Sequence, residues 1–326
     1  MKYFVTGATG FVGGVLARQL RAAGHEVHAS VRDPGKAKEL QAIGVKLFKG
    51  DVTDKESMRE AMTGVDGVYH VAGWYKVGAK DKSGGVQVNI NGTRNVLELM
   101  KELSIPKGVY TSTLAINSDT KGKLVDETYQ FTGEHISEYD RTKAEAHKLA
   151  DKFIKQGLPL VIVQPGLIYG PGDTSSVRTN LHDLLKGRLP ALPSQTAYCW
   201  AHVDDIVTGH TLAMEKGKVG ESYIICGEHH TAAHAFSLAA QVAGKRAPMT
   251  VPYQMMKAMS VLVRPLDALM PETYTSEGLR VIGGVTYIGD NSKAKHELGY
   301  EPRPLNEGWV ETVKHEMKLL GMEKPA

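Results

Sequence analysis

Cysteine is scarce: 326 residues contain two, Cys199 and Cys226. Each lies in an apolar, strand-like run, so the pair reads as buried thiols rather than a disulfide, and the expected compartment is reducing. An unbroken apolar run of membrane length is also missing. The most apolar stretch, Tyr253 to Met270, is interrupted by Lys257, Arg264, Pro265 and Asp267, which excludes a bilayer-spanning helix there. Charge of one sign is not in excess. The 39 Lys and Arg against 36 Asp and Glu leave a net +3, without the basic stripe that nucleic acid requires. Small molecules are therefore the expected partners, with no nucleic acid and no membrane. His229, His230 and His234 lie close together but lack a cysteine or carboxylate array at zinc spacing, so no metal is expected. The chain passes from Met1 straight into an apolar strand without a secretory leader, and a cytoplasmic location is expected.

What is present begins at once. Tyr3-Phe4-Val5 has strand composition, and Phe11, Val12, Val15, Leu16, Ala17 and Leu20 recur at helical spacing up to Gly24. Gly7, Gly10 and Gly13 thus fall at a strand-to-helix turn. Gly7 allows the sharp bend, Gly10 lets a pyrophosphate approach the main chain, and Gly13 lets the helix pack close to the strand. The helix N-terminus adds unpaired N–H groups and a partial positive charge. A dinucleotide site is expected, with Thr9, Phe11 and Val12 around the phosphates.

Strand and helix then alternate. Strands are expected at Val27–Val31, Val45–Phe48, Val68–Val71, Val109–Thr111 and Leu160–Val163. Helices are expected at Gly35–Ile43, after the capping-box spacing Thr53 to Glu56, at Val86–Leu103, and from the Ser137 cap to Gly157. This pattern predicts an α/β protein with a Rossmann-type, doubly wound parallel sheet. Beyond Gln164, prolines and glycines cluster and the alternation stops. Residues 1–167 are expected to form the cofactor-binding domain, with 201–227 returning to it. Residues 168–200 and 228–326 are expected to form a smaller, mixed, substrate-binding domain.

Tyr139 and Lys143 stand four apart and share a helix face. Tyr253 and Lys257 have the same spacing, but only Tyr139 follows a hydroxyl-rich strand end, Thr111-Ser112-Thr113. The glycine turn, Thr113, Tyr139 and Lys143 together resemble the extended short-chain dehydrogenase/reductases. Gly50-Asp51, His70-Val71-Ala72, Asn89-Ile90-Asn91-Gly92-Thr93, Tyr169 to Asp173, Trp200 to Asp205 and Asp290 to Ala294 resemble family signatures in family order. The resemblance covers nearly the whole chain and implies a catalytic set of Thr113, Tyr139 and Lys143. Ser112 is the other hydroxyl considered for the first role. Tyr139 is the implied proton donor and acceptor. Its phenol, near pKa 10, must fall by about three units to work at neutrality, and an ammonium about 4 Å away supplies about that much. The resemblance also places Asp51 and Val52 at the adenine, and adds Val71, Ala72, Gly73 and Pro165 to the cofactor site. It further implies a homodimer on the helices Val86–Leu103 and Tyr139–Gln156.

Where an NAD site usually carries a carboxylate after the second strand, this chain has Val31 followed by Arg32. Arginine suits a 2′-phosphate, so NADP is expected over NAD. Trp74 and Tyr75 are candidate substrate-pocket walls beside Thr113. Met255, Met256, Met259 and Met270 are candidate apolar lining. The strand end Tyr110 to Leu114 looks closest to the dihydroflavonol and cinnamoyl-CoA reductase and hydroxysteroid dehydrogenase branch. Leu114-Ala115 stand where nucleotide-sugar dehydratases carry Asp-Glu. The expected function is NADP-dependent reduction of a carbonyl, or oxidation of the alcohol, in a small, partly apolar substrate. Tyr169-Gly170-Pro171-Gly172-Asp173 keeps a nucleotide-sugar epimerase open, although Gln164 replaces the usual arginine. A catalytically silent NADP-binding redox sensor is the third reading.

Overall fold

The computed structural model describes residues 1–76, 78–267 and 275–322. In its first half, β1 (Lys2–Thr6), β2 (Glu26–Val31), β3 (Lys46–Lys49), β4 (Gly67–His70), β5 (Gly108–Thr111) and β6 (Leu160–Pro165) alternate with α1 (Phe11–Ala22), α2 (Lys38–Ala42), α3 (Glu56–Met62), α4 (Thr93–Glu102) and α5 (Glu138–Lys155). The second half mixes the two types: β7 (Leu167–Tyr169), α6 (Ser176–Leu185), β8 (Ala191–Pro193), β9 (Ala197–His202), α7 (Val203–Glu215), β10 (Ser222–Ile225), β11 (His229–Thr231), α8 (Ala232–Val242), β12 (Met249–Val251), α9 (Tyr253–Val263), α10 (Ser276–Ile282), β13 (Thr286–Tyr287), α11 (Ser292–Leu298) and α12 (Leu305–Leu319).

The main sheet has seven strands in the order β10-β6-β5-β4-β1-β2-β3, every neighbouring pair parallel. Burial on both faces explains the continuous apolar strands. On one face Tyr3 and Val5 pack with Leu16, Ala17 and Leu20 of α1 and Ile206 and Val207 of α7. On the other, Phe4 packs with Met58 and Met62 of α3, Leu97 and Met100 of α4, and Ala146 and Ala150 of α5. The chain thus has the α/β, Rossmann-like fold with a parallel central sheet. Its strand order reverses between β1 and β4, so their carboxyl ends open a crevice where such sheets take ligands. Thr6 and His70 are register partners there.

Away from this sheet, β9 is flanked by β11 and β13 and also pairs with β7, while β8 pairs with β12. Tyr169, Trp200, Phe236 and Trp309 form the centre of a second core with α6, α8 and α12. β10 lies in the main sheet beside β6, and α7 covers that sheet next to α1. Among the described residues, no helix is long and apolar enough to cross a membrane. Cys199 and Cys226 are free, buried thiols in an apolar cluster with Leu114, Ile224 and Ile288.

Three local expectations are corrected. The capping box at Thr53 does not form. Thr53 instead gives its N–H and its hydroxyl to Asp51 Oδ1, both at 2.8 Å, and α3 begins at Glu56 without a side-chain cap. The helix expected over Gly35–Ile43 is a single 3₁₀ turn, Pro34–Lys36, followed by α2, because Asp33 accepts the Gly35 N–H and tightens the start. The expected helix Val86–Leu103 opens as a wider π-helical stretch, Gly85–Gly92, before α4. Wide turns of this kind occur at functional sites, and this one holds the buried Asn89.

Candidate active site

The β1–α1 turn has the shape its glycines suggest. Gly7 adopts φ +72°, and a Cβ on it would stand 2.9 Å from Ala72 Cα. A Cβ on Gly13 would come within 2.2 Å of the Gly7 carbonyl oxygen, so side chains are excluded at both positions. Thr9 and Gly10 are exposed at the tip, and Phe11 and Val12 are half-buried. No side chain caps α1, and no acidic residue occupies its first turn. Its N–H groups and dipole therefore face the crevice, an arrangement suited to a phosphate. The opposite lip is fixed by Thr6, whose hydroxyl oxygen accepts the N–H groups of Val71 and Ala72 at 3.0 Å. Gly73 follows, exposed, and Pro165 is buried at the end of β6.

Beyond β2, the Arg32 side chain is 85% exposed, with Nε 3.9 Å from Asp51 Oδ2. Asp51 binds Thr53 through its other oxygen. Val52 is largely buried, and its carbonyl accepts from Asn95 Nδ2 at 2.8 Å. Ser30 adds a group that the sequence did not single out. Its Oγ is buried, with no hydrogen-bond partner. An exposed guanidinium and a buried, unpaired hydroxyl at the end of β2 fit a polar ribose or phosphate group.

The remaining chemistry comes from β5 and α5. Ser137 caps α5 by accepting the Asp140 N–H at 3.1 Å, and it donates to Asp140 Oδ1 at 2.7 Å. Asp140 also accepts from Ser118 and Tyr287, so the first turn of α5 is tied to distant chain. Tyr139 lies in that turn. Burial pushes its phenol up to about 12, against a hydrogen bond with Thr113 that acts in the other direction. One turn on, Lys143 is pulled down to about 7 by burial. Its Nζ donates to the Thr111 carbonyl at 2.7 Å and lies 3.3 Å from the Tyr110 hydroxyl. An adjacent ammonium was expected to lower the phenol. Burial governs both groups instead, because each is stripped of water and so resists its own charged form. The two hydroxyls of the strand end diverge. Ser112 Oγ lies 2.8 Å from His147 Nδ1, whereas Thr113 meets Tyr139.

Trp74 is half-buried, and Tyr75 is 54% exposed with its hydroxyl 3.1 Å from Thr174 Oγ1. Asn89 holds the Trp74 backbone and also reaches Thr142. Asn89 and His70 stand out in the sequence only within stretches that resemble family signatures and Tyr110 only within the hydroxyl-rich strand end, while Asp140 carries no sequence signal; the partners of all four lie far along the chain. Of the methionines, Met255 is half exposed, while Met270 and the side chains of Met256 and Met259 lie outside the described residues. His230 and His234 stack at 5.0 Å, and His230 Nε2 lies 3.2 Å from Glu228. His202, Asp204 and Glu311 bring one ligand atom each within 4.8 Å of the others. Arg303, however, sits 3.3 Å from Glu311 and 3.8 Å from Asp204, so those carboxylates already have a cation.

Comparison with known proteins agrees with this geometry. The putative dihydroflavonol 4-reductase of Synechocystis sp. is 30% identical over 322 residues, covering 95% of this chain and 93% of that one. Sterol demethylase protein B of Methylococcus capsulatus is 29% identical over 321 residues, covering 96% and 97%. The crystal structure of gox2253 matches with a TM-score of 0.83 and 30% identity over 99% of both chains. The family model described as the NAD dependent epimerase/dehydratase family matches residues 3–226. With two thirds of its length matched and the crevice, glycine turn and strand order in place, the chain belongs to that family, among the extended short-chain dehydrogenase/reductases.

Proposed function

We propose that the protein is an NADP-dependent oxidoreductase that reduces the carbonyl of a small, partly apolar substrate. The observation that carries this reading is the meeting of Thr113 and Tyr139 beside Lys143, at the strand ends next to the glycine turn. A nicotinamide cofactor, when bound, supplies the hydride. Gly7 to Gly13 hold its diphosphate, Asp51 and Val52 flank the adenine, and Val71 to Gly73 and Pro165 line the path to the nicotinamide. Arg32 would take the 2′-phosphate, supported by its 85% exposed side chain at the end of β2, whose contact with Asp51 is a long 3.9 Å.

Thr113 and Tyr139 both offer hydrogens to the substrate oxygen, which fixes the carbonyl and polarises it. At about 12, Tyr139 is protonated at neutral pH, so it arrives as a proton donor, which suits reduction. Lys143, near 7, is close to balance between its two forms and can return a proton to the phenolate. Trp74 and Tyr75 wall the pocket, with residues 168–200 and 228–326 on the substrate side. The apolar character of the wall and a relative named for dihydroflavonol reduction support an apolar carbonyl.

The test is a panel of apolar aldehydes and ketones, followed by loss of NADPH absorbance. Turnover abolished by Tyr139→Phe supports the reading. Cofactor binding without turnover of any carbonyl would replace it with a sensor, and interconversion of nucleotide sugars without net NADPH loss would replace it with an epimerase.

A further inference from the structure

Asp140 stands one residue after Tyr139 and is 1% exposed. A carboxylate without water must be met by hydrogen bonds, and three hydroxyls from separate stretches of chain meet this one. Ser137 donates to Oδ1 at 2.7 Å, and Ser118 and Tyr287 donate to Oδ2 at 3.1 and 3.0 Å. All three residues are buried. Capping of α5 accounts for Ser137, whose oxygen also takes the Asp140 N–H. Ser118 and Tyr287 lie outside the helix and contribute nothing to its cap.

Both lead instead to the site. The 3₁₀ turn Leu114–Asn117 has Thr113 at its start and Ser118 at its end, so whatever fixes Ser118 also limits where Thr113 can stand. Ser118 is held at φ +49°, in the left-handed region, and its oxygen accepts the Ile136 N–H at 3.2 Å, just ahead of α5. Tyr287 belongs to β13, on the substrate side, where its ring stacks on Tyr198 of β9 at 5.9 Å. The chain after Ser118 is joined to β13 as well. Asp119 Oδ1 accepts the Thr286 N–H at 3.0 Å, and the Thr120 N–H donates to the Thr286 carbonyl at 2.8 Å. The turn, β13 and α5 therefore form a closed triangle with a direct hydrogen bond along each side, and Asp140 is its corner on α5. We propose that Asp140 is a positioning residue for the reaction: it locks the first turn of α5 to the turn after Thr113 and to β13, and so sets where the Tyr139 hydroxyl stands relative to Thr113.

The proposal rests on the reductase reading for its catalytic consequence. Proton transfer needs the phenol within hydrogen-bond reach of the substrate oxygen, and a misplacement of about 1 Å can cost about 100-fold in rate. Asp140 acts through Tyr139 and Thr113 rather than on the substrate. Its charge also pushes the Tyr139 phenol up, so a substitution at Asp140 itself would mix placement with charge. Ser118→Ala and Tyr287→Phe each remove one hydroxyl from the triangle and leave the carboxylate in place, which isolates placement.

The experiment follows the ¹⁹F resonance of Tyr139 in full-length protein labelled with 3-fluorotyrosine, assigned by its loss in Tyr139→Phe, together with steady-state reduction of a carbonyl from the panel. In Ser118→Ala and in Tyr287→Phe the resonance should shift, kcat should fall about tenfold, and KM for the cofactor should stay within about twofold. The double variant should lose little more than the more damaged single one, since both hydroxyls act through one carboxylate. If Tyr287→Phe fails to fold, Ser118→Ala decides alone. A resonance that does not move in a folded variant, an unchanged kcat, or losses that simply multiply in the double variant overturn the proposal. If the unaltered protein reduces no carbonyl, the reductase reading fails, while the resonance still decides whether Asp140 places Tyr139.

Discussion

Asn89 grips the backbone of Trp74 with both ends of its amide. Oδ1 accepts the Trp74 N–H at 2.7 Å, and Nδ2 donates to the Trp74 carbonyl at 2.9 Å and to Thr142 Oγ1 at 3.0 Å. One fully buried side chain thereby fastens the segment after β4 to α5, the helix that carries Tyr139 and Lys143.

Asn89→Ala should loosen that segment without touching the glycine turn. Each buried group it orphans costs about 1–3 kcal/mol, so the melting temperature should fall. KM for a carbonyl substrate should rise while the Kd of the nicotinamide cofactor stays within about twofold. A cofactor Kd that weakens as much as KM would show that Asn89 supports the turn instead.

Thr113 and Ser112 should behave differently. Thr113→Ala removes the hydroxyl that meets Tyr139 and should lower kcat/KM by about 10–100-fold, the range of one strong hydrogen bond to the reacting oxygen. Ser112→Ala breaks only the contact with His147 and should change kcat/KM by less than about threefold. Steady-state kinetics on any carbonyl found in the panel would check this, and equal losses would refute it.

Arg32→Ala should weaken NADPH binding by about tenfold, the worth of a charge-assisted contact on an exposed side chain. NADH should be unaffected, since it lacks the 2′-phosphate. Calorimetric titration of both cofactors against both proteins gives the comparison, and equal effects on the two would remove Arg32 from the specificity argument.

Acid should destabilise the fold through buried imidazoles. His210 donates from Nδ1 to the Ile206 carbonyl at 2.7 Å and faces the Thr111 hydroxyl at 2.9 Å, and burial pulls it down to about 4. An unfolded histidine titrates near 6.5. Between the two values the unfolded chain binds a proton that the folded one refuses, so stability is complete above about pH 6.5 and falls as pH drops toward 4, by about 3 kcal/mol for this residue. His70, pushed down to about 3, acts in the same sense. Denaturant melts across this range should show the slope, and it should flatten in His210→Gln.

Much of the cofactor half was legible because its determinants are local. A strand, three glycines and a helix follow within about twenty residues, and backbone sterics alone assign Gly7 and Gly13. The Tyr139–Lys143 pair was legible for a similar reason, since i and i+4 share a helix face. Thr113 against Ser112 was not. Successive residues at a strand end face opposite ways, and which way is inward depends on where α5 and His147 pack. The capping box failed because Asp51, two residues earlier, competed for Thr53. Asn89 was marked by resemblance, but its grip on Trp74 depends on a π-helical turn that periodicity does not predict.

The sequence by itself determined the alternating parallel sheet, the phosphate turn, the arginine where a carboxylate is usual, and the spacing of tyrosine and lysine. Each of these follows from interactions over a few residues. Only the tertiary structure decided the state of Tyr139 and Lys143. Tyr139 rises and Lys143 falls because water is removed by strands and helices far away in the chain. Desolvation sums over everything packed around a group, and no short stretch of sequence contains that sum.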